Sequence, residues 1–158
     1  MKLAGLLLAL IACAADTRSP DPRDPGDPGH HPGPTMHVTL TASAPRQDIA
    51  LPAVAAAPAT LTLAIAAIDN PSSQAFSLGA SVVWSAAGAA AIEETIGSVT
   101  PYPATQPGSF ALTVPEAARK SLARGDGQLA LRVVLLPIAA DRALPEPLRV
   151  TLGDPVWR

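Results

Sequence analysis

Only five aromatic side chains occur in 158 residues, cysteine occurs once, and charged residues make up 15% of the chain. Each scarcity excludes something. One cysteine leaves no internal disulfide, so the folded part must hold by burial alone. Few aromatics leave little material for the coplanar stacking that holds sugars. A net charge of −2 without a basic cluster gives no field for phosphate backbones, which excludes nucleic acid as a partner. The three histidines, His30, His31 and His37, precede or open the folded part, so none lies among the later strands to serve a serine nucleophile. No Gly-x-Ser-x-Gly elbow, glycine-rich phosphate loop or Cys/His metal spacing occurs. The expectation is a non-enzyme without a cofactor.

What is present begins with an address. Met1-Lys2 supplies a positive charge, and Leu3 to Ala12 forms an apolar run. About ten residues are too few to cross a hydrocarbon layer roughly 30 Å thick, but they suit the central region of an export signal. Leu10-Ile11-Ala12-Cys13 follows directly and resembles the Leu-x-Ala/Gly-Cys pattern of bacterial lipoprotein signals. The resemblance implies removal of residues 1–12, diacylglycerol on the Cys13 thiol and a membrane anchor. Ala14 in place of an aspartate after the cysteine implies, on the same resemblance, export to the outer membrane. Two or three acyl chains hold stably, at about 0.8 kcal/mol per buried CH₂. The alternative is ordinary secretion, because Ala12-Cys13-Ala14 also satisfies the small-x-small cleavage rule.

From Cys13 to residue 35 prolines recur every few residues, with Asp and Gly between them. Such a segment has no apolar surface to offset the entropy of ordering and is expected to stay unfolded. Its reach lies between roughly 25 Å as a coil and 65 Å extended. His30-His31 within it lack the fixed geometry and second shell that a metal site needs.

Residues 36–158 alternate with period two between turn signals. Apolar stripes run through "TLTLAIAAID", "FSLGASVVW", "SFALTV", "QLALRVVLL" and "LRVTL", with shorter strands expected at Val38 to Ala42 and in "EETIGSV". Phe76, Leu78, Ala80, Val82 and Trp84 form the most regular stripe, which places the Trp84 indole between two sheets. About seven short strands with Pro, Gly and Asp punctuation predict an all-β, immunoglobulin-like antiparallel β-sandwich. One short helix is expected in "PEAARKSLARG", with Pro115 in its first turn, Glu116 near the positive end and the basic residues toward the negative end. The cysteine pair and tyrosine corner of immunoglobulin domains are missing. "GSF" and the last two strands also resemble the β-sandwich that follows the catalytic domain of tyrosinases and polyphenol oxidases, which implies a secreted accessory role. The copper-binding histidines of that catalytic domain have no counterpart here.

Candidate functional residues are therefore few. Glu93 and Glu94 are strand neighbours and point to opposite faces, which argues against an acid/base pair. Asp69-Asn70, Asp126 and Asp154 lie in turn dipeptides, and turn chemistry accounts for them better than calcium does. "TPYPATQPG" sets Tyr102 between prolines as a rigid aromatic display, and Trp157 near the end is a second candidate for exposure. The function expected is a lipid-anchored envelope protein whose sandwich binds a protein partner in an accessory, assembly or pilot role. A small-ligand or glycan binder is the alternative.

Overall fold

The computed structural model describes residues 37–52, 58–85, 88, 90–122 and 127–158. The apolar run of residues 3–12, Cys13, the proline-rich tract and His30-His31 lie outside the described residues. Ten elements follow in chain order: β1 (Val38–Thr41), β2 (Arg46–Ala50), β3 (Thr60–Asp69), β4 (Phe76–Ser85), β5 (Ile92–Val99), β6 (Gly108–Thr113), α1 (Glu116–Leu122), β7 (Gln128–Pro137), β8 (Arg149–Leu152) and β9 (Val156–Trp157). The strands pair antiparallel in two sheets, one ordered β1-β8-β3-β6 with β9 also on β3, the other ordered β2-β7-β4-β5. An all-β sandwich with one short helix is what the alternation predicts.

The strand order departs from the immunoglobulin arrangement. There the last strand lies beside the penultimate one, whereas here β8 sits in the opposite sheet, between β1 and β3. The first strand accounts for the vacancy. After Thr41 the chain turns, closed by the Thr41 amide on the Ala44 carbonyl at 3.2 Å, and crosses to the other sheet as β2. There β2 takes the edge of β7, pairing Ile49 with Leu131. β8 and β9 are one interrupted strand along β3, broken by Gly153-Asp154-Pro155, with a register shift between Ile65 and Ala67 of β3.

Both inner faces are aliphatic. Leu61 and Leu63 of β3 face the interior with Leu78 and Val82 of β4 and Leu131 and Val133 of β7, all wholly buried. Each such side chain contributes about 1.5–3 kcal/mol relative to exposure. Phe76 is the one aromatic among the largest fully buried residues. Helix α1 docks through Ala118, which is wholly buried. Its Glu116–Lys120 ion pair, 2.8 Å long, is largely exposed and adds only a few tenths of a kcal/mol.

β5 carries a bulge. Ala80 pairs with Gly97 and Ser81 with Thr95, so Ile96 is the extra residue and turns into the core at 7% exposure. Gly97 takes φ 146°, and a Cβ there would lie 3.4 Å from Leu112 Cδ2 of the opposite sheet. A side chain at this position is strained by the backbone, and its Cβ would rest against Leu112.

Trp84 is not among the fully buried residues. It continues the inward-facing phase of β4, but the row it shares with Leu129 and Ile92 is the rim of the sandwich. Ile92 is 48% exposed, and Trp84 itself is only partly buried and outside the core cluster. Periodicity fixed its phase but carried no information on where the core ends. Phe76→Ala is expected to cost about 3–5 kcal/mol and Trp84→Ala about 1–2 kcal/mol in urea denaturation. Equal losses would return Trp84 to the core.

Candidate functional site

One end of the sandwich gathers three connections: β3 to β4 (70–75), β5 to β6 (100–107) and β7 to β8 (138–148). The chain turns sharply after β3, with Pro71 at the second turn position and the Ser73 amide on the Asn70 carbonyl at 3.0 Å. This turn swings the Asn70 side chain inward, where it is 4% exposed. Its Nδ2 donates to the Gln74 carbonyl at 2.9 Å and to the Ala104 carbonyl at 3.0 Å, while Oδ1 accepts from Ser72 Oγ at 3.0 Å. Gln74 Nε2 donates to the Ala143 carbonyl at 3.1 Å. Asn70 thus ties the first connection to the second, and Gln74 ties it to the third.

The 100–107 loop is held from both sides of Tyr102. Pro101 is buried, Ala104 packs against the core, and the Gln106 amide closes a turn on the Pro103 carbonyl at 3.0 Å. Between these anchors Tyr102 is 95% exposed, the only exposed aromatic among the described residues. Ile138, directly after β7, is exposed at the same end. Exposed apolar side chains on a braced loop are suited to contact with another macromolecule.

Trp157 does not join this surface. In β9 it pairs with Leu61, packs partly buried against the core, and donates its indole N–H to the Pro52 carbonyl at 3.3 Å. Leu61 and Asn70 mark opposite ends of β3, about 30 Å apart at strand rise. Tyr102 and Trp157 therefore form no common site. Sequence reasoning placed Trp157 among the exposed candidates because its strand is two residues long and shows no alternation of its own to set its phase.

The charged chemistry lies on the outer face of the β2-β7-β4-β5 sheet. Arg132, 14% exposed, grips Asp48 of β2 with Nε and Nη2, at 2.8 and 2.7 Å, and reaches across β4 with Nη1 to Glu93 of β5. One guanidinium so links both edge strands of the sheet. Val83, next to this bridge on the outer face, is 8% exposed. The hydrogen bonds from Arg132 hold the Asp48 carboxyl below its ordinary value of 3.8, and the carboxylates in turn push the Arg132 pKa upward. Glu94 pairs opposite inward-facing Val82 and so lies on the other face from Glu93. A groove of about 460 Å³ runs beside the bridge along β2 and the start of β7, and Asp48 is its one ionisable lining group among the described residues. Both oxygens of that carboxylate are already taken by Arg132. Among the described residues no three His, Cys, Asp or Glu side chains converge as a metal site.

Sequence reasoning missed both polar devices. Asn70 was visible only as a turn residue, since its partner Ala104 lies 34 positions away. Arg132 carried a usable signal: it is the one charge inside an otherwise apolar strand. No protein-family model, curated protein or solved structure matches the chain.

Asn70→Ala leaves two carbonyls without their donor and is expected to cost about 2–3 kcal/mol in chemical denaturation. Amide exchange in the 100–107 loop rises with it, and an unchanged loop would remove Asn70 as the tie. Arg132→Met is expected to cost about 1–2 kcal/mol at neutral pH, through lost ion pairing and packing. Asp48 has a lowered folded pKa, so its contribution is complete above the unfolded value and disappears as pH falls through the folded one. The gap between wild type and Arg132→Met therefore narrows below about pH 4. A gap independent of pH would show that packing alone is responsible.

Proposed function

We propose that this chain is a lipid-anchored envelope protein that presents a non-catalytic β-sandwich to a protein partner through its Tyr102 end. The observation that carries the reading is Tyr102 itself, 95% exposed on a loop braced by Asn70, Pro101 and Ala104. A wholly exposed aromatic contributes nothing to its own fold, while a braced loop loses little further entropy when it binds. Ile138 extends the apolar surface at the same end.

The anchor in this reading is Cys13, acylated after removal of residues 1–12, with the proline-rich tract to residue 35 as a tether and the outer membrane as destination. Support comes from Leu10-Ile11-Ala12-Cys13 and from the composition of the tract. The tether lifts the sandwich off the bilayer, and the partner is an envelope protein met above it. Sugar binding is the weaker reading, because Tyr102 has no second exposed aromatic with which to form a stacking platform.

Two measurements test the two halves. Intact-mass spectrometry of the membrane-extracted protein is expected to show a chain beginning at Cys13 with acyl chains, and Cys13→Ser to release the protein from membranes. An unlipidated chain beginning at Ala15 would refute the anchor. Tyr102→Ala is expected to change folding stability by under about 1 kcal/mol while reducing the partner captured by crosslinking on membranes. Undiminished capture would refute the loop, and an unfolded Tyr102→Ala chain would make Tyr102 a structural residue.

A further inference from the structure

A two-sheet sandwich has four edge strands, here β1 and β6 in one sheet and β2 and β5 in the other. Soluble proteins blunt such edges with short strands, charges or bulges, because an open row of N–H and C=O groups templates pairing with another chain. β1 has four residues. β2 carries Arg46 and Asp48. β5 carries the Gly97 bulge together with Glu93 and Glu94. β6, Gly108-Ser109-Phe110-Ala111-Leu112-Thr113, has six residues, no charge, no proline and no bulge in its register with β3.

The phase of the open row follows from one bond. The Val114 amide donates to the Ala59 carbonyl at 2.9 Å, in continuation of the register that pairs Thr113 with Thr60. Backbone groups alternate in direction along an antiparallel ladder. Gly108, Phe110 and Leu112 therefore bond to β3, and Ser109, Ala111 and Thr113 turn their N–H and C=O outward. Among the described residues β6 pairs with β3 alone. Pro107 and Pro115, which have no N–H, bracket the row.

We propose that β6 pairs antiparallel with β6 of a second copy, about a two-fold axis through Ala111. Only this register sets all three outward-facing residues opposite outward-facing residues: Ser109 against Thr113 of the second copy, Ala111 against Ala111, and Thr113 against Ser109. Each such pair exchanges two hydrogen bonds. The same register sets partly buried Phe110 against Leu112 on the inner face and hydroxyls against hydroxyls on the outer face. No ionised side chain meets its own copy, whereas self-pairing of β5 would gather four glutamates at one seam. The interface is isologous, as a closed two-fold dimer requires. It depends on neither the lipid anchor nor Tyr102.

The test uses the full-length chain. Opposed residues of a hydrogen-bonded pair have Cα atoms about 5.5 Å apart, within disulfide reach. Thr113 and its own copy are four residues out of register, about 13 Å apart, and beyond reach. With Cys13 replaced by serine, so that the native thiol takes no part, mild oxidation is expected to give Ala111→Cys a disulfide-linked dimer and Thr113→Cys none. In sedimentation velocity the unsubstituted chain is expected to run as a dimer and Ala111→Pro as a monomer with its thermal transition retained, because the Ala111 N–H is outside the β3 ladder. Should Ala111→Pro fail to fold, Ala111→Lys serves the same purpose. Persistence of the Cys13→Ser chain as a dimer separates this interface from the anchor. A monomeric unsubstituted chain, or equal crosslinking at 111 and 113, would overturn the proposal.

Discussion

Everything in this domain depends on burying one aliphatic stripe from each of β3, β4 and β7 between two sheets. There is no disulfide, and a single phenylalanine, Phe76, supplies the fully buried aromatic mass. Leu and Val from both inner faces must therefore interlock along the buried stretches of three ten-residue strands. That requirement shapes the ends of the chain as well. The first strand divides between the sheets because β7 needs a neighbour on its open side, and Ile49 of β2 and Leu40 of β1 each complete an inner face.

Polar interactions act around this core and not within it. Asn70 is the one buried polar residue among the described positions, and it closes the loop end by satisfying carbonyls of two different connections. Arg132 spans the outer face and joins both edge strands of its sheet. Each contributes a few kcal/mol at most, against the far larger sum from the aliphatic rows. Their effect is geometric: one fixes where Tyr102 is displayed, and the other ties the short, charged β2 to the bulged β5.

The fold was legible where alternation persisted. β3, β4, β7 and β8 appear within about a residue of the stripes that predict them, and α1 lies inside the segment with its capping and charge pattern. β2 was not legible, because "RQDIA" contributes a single aliphatic residue to the core, and β9 is too short to show a period. Strand order was equally hidden, since nothing local in "LRVTL" says that β8 joins β3 in place of β7. At the candidate site, Tyr102 stood out through its flanking prolines, whereas the Asn70 tie depends on residues far apart in sequence. Trp157 was misjudged for the opposite reason: proximity to the chain end suggested exposure, but its pairing with Leu61 turns the ring inward.

The functional account rests on the separation between a core that folds by aliphatic burial and a loop end free to make contacts. It requires the two sheets to behave as one cooperative body beneath that surface. Native-state hydrogen exchange across a series of denaturant concentrations tests this most directly. The expected result is that amides in the centres of β3, in one sheet, and of β4 and β7, in the other, converge on a single opening reaction with the free energy of global unfolding. Two distinct opening reactions, one for each sheet, would contradict the account.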